Sequence, residues 1–210
     1  MGKYSNEERN ERDYYPTPLK AVIPLVPYLQ GIKNFAEPFS GDGALIQHLC
    51  LATKMKCTWA FDIEPQIEPL TVIEADHLEP QFLISEQRDF DELSKEDFTM
   101  GMITRGVEAI ITNPPWLNTP NSGYQLTRFV NKLCYGGFPV ILLLNGNILN
   151  NKGFWQNKVH GRSMGDLCYQ ILPIGRVKWI EGSPHTGKED CSWFFFNENN
   201  HSLPKILPRK

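Results

Sequence analysis

Asn34-Phe35-Ala36-Glu37-Pro38-Phe39-Ser40-Gly41-Asp42-Gly43-Ala44-Leu45-Ile46-Gln47-His48-Leu49 carries three patterns in succession. Residues 34–39 form a short apolar run suited to a buried strand. Residues 40–43 form a tight turn with glycines where the backbone must bend, and residues 44–49 open an apolar helix. A strand, a glycine turn and a helix begin a βαβ unit, and the rest of the chain continues the alternation. Residues 57–61 read as a second strand ending on Asp62, residues 71–75 as a third ending on Asp76, and residues 107–112 as a fourth that stops at Asn113-Pro114-Pro115-Trp116. Residues 138–144 are apolar throughout, as in a strand covered on both faces of a parallel sheet. Residues 177–180 and 191–196 read as a terminal antiparallel hairpin. Helical spacing is expected at 19–29, interrupted by Pro24 and Pro27, at 126–133, and in part of the acidic stretch 85–98. The pattern predicts an α/β fold. Its core is a doubly wound, mostly parallel seven-stranded sheet with a C-terminal antiparallel hairpin, binding ligands outside the carboxyl ends of the strands.

A chain of 210 residues, 41% of them apolar, suits one domain with a sizeable core. We expect a flexible arm at 1–13, a single domain at 14–198 and a tail at 199–210. No apolar run nears the roughly 20 residues of a membrane helix, and the N-terminus is polar, so a soluble, intracellular protein with no membrane partner is expected. The five cysteines are odd in number, scattered and without ligand spacing, which argues against a disulfide framework or a zinc site; no metal is expected. A net charge of -3 lacks the basic footprint of a nucleic-acid binder, but the average hides a split. Acids crowd residues 60–100, whereas Lys152, Lys158, Arg162, Arg176, Lys178 and Lys188 dominate 148–188. If the fold separates these segments, one face can meet phosphate.

The turn through Glu37, Gly41 and Gly43 lets a ligand approach backbone amides at a helix start, and it lacks the lysine of a triphosphate-binding loop. By itself it serves equally as a structural turn with Glu37 capping nearby amides. Asp62, just past a strand, can accept from two ribose hydroxyls, with Ile63 free to pack on a planar base; Glu64 is the competing acid. Asp76 can accept from an amine, and His77 can lie against a ring. Asn113-Pro114-Pro115-Trp116 is the most specific signal. Two prolines remove two donors and stiffen the chain, so the acceptors of Asn113 and Pro114 hold fixed directions at a strand tip. Such acceptors can draw the lone pair of a conjugated exocyclic amine out of its ring, and Trp116 can stack on the base.

Taken in order, the YPTP run at 15–18, EPFSGDG at 37–43, FDIEP at 61–65, EADHLE at 74–79 and TNPPW at 112–116 resemble the motifs of class I methyltransferases acting on amino groups of nucleic-acid bases. The resemblance spans residues 14–196. It is nearest to small, phage-like DNA adenine-N6 methyltransferases of the NPPW type. It implies a Rossmann-like methyltransferase fold, S-adenosyl-L-methionine as cofactor, a role in DNA methylation such as restriction-modification, and the cytoplasm of a bacterial or phage-infected cell. Carried over residue by residue, it implies that Glu37 meets the methionine ammonium, while Phe39, Gly41 and Gly43 shape the floor. Asp62 and Ile63 would hold the ribose and adenine, Asp76 and His77 the adenine edge and face, and Thr17, with Tyr15 nearby, the carboxylate. Asn113, Pro114, Pro115 and Trp116 would be the catalytic set.

The sequence departs from that family in having no separate target-recognition region. Recognition would then fall to Tyr124, Lys152, Trp155, Lys158, Arg162 and the loop between the last two strands, with Arg176 to Trp179 and His185 to Lys188 lining the base pocket. DNA is favoured as partner over RNA. An RNA-adenine methyltransferase, a protein-glutamine methyltransferase and a non-catalytic cofactor-binding subunit remain open.

Overall fold

The computed structural model describes residues 15–65, 70–72, 81–83, 86–115, 122–180, 186–187 and 189–209. Extended chain through Pro18 leads into α1 (Leu19–Val22), whose continuation tightens into a 3₁₀ turn at Ile23–Tyr28 because Pro24 and Pro27 lack the donors an α-helix needs. β1 (Asn34–Glu37) is followed by the glycine turn and α2 (Ala44–Ala52). Gly43, with φ 75°, occupies the N-cap of α2 in the left-handed region, where a side chain would cost roughly 1–2 kcal/mol. β2 (Lys56–Asp62), β3 (Leu70–Val72), β4 (Gln81–Leu83) and β5 (Glu86–Gln87) come next. α3 (Lys95–Thr104) starts where the Ser94 hydroxyl accepts from the Asp97 amide. β6 (Ala109–Thr112), α4 (Ser122–Cys134), β7 (Val140–Asn145), α5 (Lys152–Gln156), α6 (Met164–Leu167), β8 (Cys168–Arg176), β9 (Asp190–Phe196) and β10 (Lys205–Ile206) complete the order.

Eight of these strands form one sheet in the order β10-β8-β9-β7-β6-β1-β2-β5. Every pairing is parallel except the two that β9 makes, with β7 and with β8. The chain runs outward from β1 through β2 to β5 on one side and through β6 to β7 on the other, so strand order reverses between β1 and β6. Side chains alternate between the two faces. Ile111, Ile141, Leu143 and Trp193 face α1 and α2, whereas Ile110, Val140, Leu142 and Phe194 face α3 and α4. The Trp193 indole donates to Ala21 O at 2.8 Å and pins α1 to the sheet.

The doubly wound, mostly parallel sheet is the one the sequence predicts; four details differ. Residues 71–75 were expected in the main sheet, but their described part, with Leu70, pairs antiparallel with β4 in a separate two-stranded ribbon, because strand periodicity carries no information about the partner. The place beside β2 goes to the two residues of β5. The strand opposite β9 is β8 rather than residues 177–180: Pro173 and Gly175, which look like breakers, sit at a register irregularity that absorbs them. Within the stretch expected as a tail, β10 adds to the edge of β8, raising the described strands of the sheet from the expected seven to eight, and the Leu207 amide donates to Ile171 O at 2.8 Å. Four cysteines are buried, and Cys57 is partly so. Among the described residues no helix is long and apolar enough to cross a membrane.

Leu142, fully buried between β7 and the α3/α4 layer, gives a test of the core. Leu142→Ala is expected to cost about 2–5 kcal/mol in urea unfolding. Leu51→Ala on the exposed side of α2 should stay within about 0.5 kcal/mol of the parent.

Candidate functional site

β6, β1 and β2 are neighbours and parallel, so their carboxyl ends bring Thr112-Asn113, Glu37 and Asp62 together on one rim, beside the reversal in strand order. Such a crevice is where open α/β sheets bind ligands. Glu37 is 1% exposed. Its Oε1 accepts from the Thr112 hydroxyl across the β1–β6 pair, and its Oε2 has no partner among the described residues. Burial pushes the Glu37 carboxyl well above the usual carboxylate range, and the charge of Asp62 adds to this. The Thr112 hydroxyl and the Phe39 and Asn113 amides oppose it.

The glycine turn is tied to β2 by backbone amides. Ser40 N donates to Phe61 O at 3.1 Å and Gly41 N to Asp62 Oδ2 at 2.9 Å; Glu64 N donates to Asp62 Oδ1 at 2.9 Å. Asp62 therefore holds the turn, and each of its oxygens keeps one further lone pair. Ile63 next to it is 49% exposed. Gly41 and Gly43 are buried with φ of 50° and 75°. The Phe39 ring packs edge-on against Phe90 and Phe129, at 5.4 and 5.8 Å between centroids, on the edge of the α3/α4 layer.

Asn113 meets the N-terminal motif. Its amide nitrogen donates to the Thr17 hydroxyl at 3.2 Å, leaving Asn113 Oδ1 buried and without a partner among the described residues. The Thr17 carbonyl in turn lies 3.0 Å from His48 Nδ1 on α2, and Thr17 is 4% exposed. Pro114 is buried and Pro115 partly so. Tyr15 stands near Trp179, with ring centroids 6.4 Å apart. Trp116, Asp76 and His77 lie outside the described residues, as do His185 and Lys188. Sequence reasoning gave Thr112 and His48 no role of their own, and it placed the Thr17 hydroxyl or backbone amide at the cofactor carboxylate without foreseeing the contact of that hydroxyl with Asn113. The signal for Thr112 was a hydroxyl closing an otherwise apolar strand.

Of the residues expected to read a target, Arg162 is committed elsewhere: its guanidinium donates to the carbonyls of Glu198 and Asn200 and clamps the segment after β9. The Trp155 indole donates to Leu149 O, and its ring lies where a Cβ on Gly165 would stand. Tyr124, Lys152 and Lys158 are exposed. Among the described residues no three His, Cys, Asp or Glu side chains converge as a metal site would require.

No protein-family model matches the sequence, and no curated protein is similar to it. Solved structures resemble the chain trace. A Listeria monocytogenes protein, itself assigned by inference to the class I S-adenosylmethionine-dependent methyltransferases, aligns with a TM-score of 0.48 and 8% identity over 95% of this chain and 68% of its own. A modification subunit from Vibrio vulnificus, inferred to belong to a type I restriction enzyme, gives 0.49 and 12% over 87% and 44%. The type I restriction enzyme EcoKI M protein gives 0.44 and 12% over 88% and 44%. The chain thus spans less than half the length of either restriction-enzyme subunit, and the reading of the site rests on its own residues.

Glu37 supplies a test in the absence of ligand. A carboxyl whose folded pKa is raised keeps its proton in the native state while the unfolded chain has lost it. Its contribution is therefore complete below the unfolded value and fades as pH rises toward the folded one. Glu37→Gln, which cannot ionise, should gain stability relative to the parent as pH rises from about 4.3, as read by urea unfolding across the acid-to-neutral range. A pH-independent difference between the two proteins would show that Glu37 ionises normally.

Proposed function

We propose that this protein transfers a methyl group from S-adenosyl-L-methionine to an exocyclic amine of a nucleic-acid base, with adenine N6 in DNA as the favoured acceptor. The observation that carries the reading is a pair of orphaned buried acceptors on adjacent strand ends, Asn113 Oδ1 and Glu37 Oε2. A buried acceptor left unpaired costs about 1–3 kcal/mol, a cost that a ligand bearing N–H donors removes. An amine base suits the first acceptor and a cationic ammonium the second.

The residues present fit the cofactor. Glu37 gains a cation that draws its carboxyl back to the ionised form, the two glycines at positive φ let a ligand approach the turn, and the remaining lone pairs of Asp62 suit a ribose diol beside exposed Ile63. When bound, S-adenosyl-L-methionine supplies an electrophilic methyl group on a positively charged sulfur that leaves as a neutral thioether. Asn113 Oδ1 accepts one amine N–H and the carbonyl of Pro114 the other, which pulls the nitrogen lone pair out of ring conjugation and aims it. Thr17 fixes which atom of the Asn113 amide faces the base, and buried Pro114 keeps the strand tip from yielding. Trp116 stacks on the base. After transfer the nitrogen sheds a proton to water, so no strong base is required. DNA is preferred because the motif order resembles DNA adenine-N6 methyltransferases.

The test is incubation with tritiated cofactor and separate duplex DNA, structured RNA and protein acceptors, followed by nucleoside digestion. N6-methyladenine in the DNA arm is expected; label only in protein would overturn the reading. Asn113→Ala should lower methyl transfer about 10²–10³-fold while cofactor affinity is largely kept, and unchanged turnover would sink the mechanism. Asp62→Ala should act first on cofactor binding, since it both removes the diol acceptor and releases the Gly41 amide. Thr17→Val should lower turnover with little change in cofactor affinity, because it frees the Asn113 amide to rotate.

A further inference from the structure

Away from the strand tips of β6, β1 and β2, a cleft of about 270 Å³ lies between α1 and the β8 edge, lined by Lys20, Ile23, Ile174, Arg176, Val177 and Arg209. Three cations converge there, and none forms an ion pair or hydrogen bond among the described residues. Asp190 is the cross-strand neighbour of Arg176 in register and is exposed, yet no ion pair joins them. Arg209 is not a loose end. Residues on its N-terminal side are docked: β10 pairs with β8, the Leu207 amide donates to Ile171 O, and the Pro208 carbonyl accepts from the Tyr28 hydroxyl. Its guanidinium lies over Gly175, 3.3 Å from where a Cβ would stand, beside Arg176. Gly175 has φ 76° and leaves the surface open for it. Like charges held together by packing, with apolar walls and no acid between them, form an anion site.

We propose that the Lys20/Arg176/Arg209 cleft binds a backbone phosphate of the nucleic acid whose base is presented to Asn113. This rests on the methyl-transfer reading for its choice of anion. β8 runs parallel to β6 and β7, so Arg176 leaves the sheet on the same rim as Asn113. Three strand spacings separate β8 from β6, about 14 Å at roughly 4.8 Å each. In register Arg176 also stands about three residues beyond Asn113 along the strands, roughly 10 Å more, so at about 3.4 Å per nucleotide a phosphate in the cleft stands about five nucleotides from the target base. The opposite edge, at β2 and β5, carries described acids such as Asp62, Glu64 and Glu86 and repels the same backbone, which sets the side on which the strand lies. Lys20 follows Thr17 by three residues, so the element that orients Asn113 also carries part of the phosphate site.

The experiment is fluorescence anisotropy of the full chain with a labelled DNA duplex between about 50 and 200 mM salt, with cofactor affinity and tritium transfer measured on the same proteins. The triple variant of Lys20→Ala, Arg176→Ala and Arg209→Ala should reduce the salt slope by about 1, the loss of one phosphate contact, and each single variant should weaken binding with a smaller change in slope. Cofactor affinity should stay at the parental value, which also verifies folding. Lys33→Ala, at the opposite rim before β1, should leave the slope unchanged. A triple variant with the parental slope, or a parent that does not bind the duplex, overturns the cleft. A parent that binds through these three cations but methylates no base upholds the cleft and overturns the methyl-transfer reading.

Discussion

The reversal of strand order between β1 and β6 is the constraint on which the rest depends. Crossovers from β1 and from β6 pack on opposite faces of the sheet, so the strand tips part between them. Glu37 is placed at that gap, and the apolar strands around it remove it from water. Among the described residues the Thr112 hydroxyl and two backbone amides answer its polarity, and Oε2 has no hydrogen-bond partner. A carboxyl in that state opposes folding, and the two-sided core of β6 and β7 holds it there nonetheless.

The second buried acceptor is oriented by a different device. Asn113 directly follows β6, and its amide nitrogen donates to the hydroxyl of Thr17, which lies 96 residues earlier and whose carbonyl lies against His48 on α2. Two prolines restrict the backbone on one side and a buried hydroxyl restricts the side chain on the other. Support of this sort, a buried residue anchored in turn to α2, keeps reacting groups within the narrow tolerance that transfer chemistry demands.

The sheet also sorts charge. A formal net charge of -3 describes neither edge. Of the acids in residues 60–100, the described ones, among them Asp62, Glu86 and Asp97, sit with β2, β5 and α3, whereas β8 and the segment after β10 bring Arg176 and Arg209 to the far edge. The potential along this rim therefore runs from negative at one edge to positive at the other.

The apolar runs of β1, β2, β6 and β7, the glycine turn and the proline pair were legible in the sequence because each is a local pattern with a local cause: burial on both faces, positive φ, or loss of an amide donor. The broad charge split was legible for the same reason. Pairing was not. Leu70–Val72 reads as a strand, but its antiparallel ribbon with β4 depends on a partner that periodicity does not name, and β8 hides behind Pro173 and Gly175 until the register irregularity accommodates them. The side-chain partners were equally hidden. The chain announces Glu37, Thr17 and Asn113 as separate motifs. Only the folded molecule joins Glu37 to Thr112 and Thr17 to Asn113, because a hydrogen bond is decided by distance in space, and sequence separation says nothing about it.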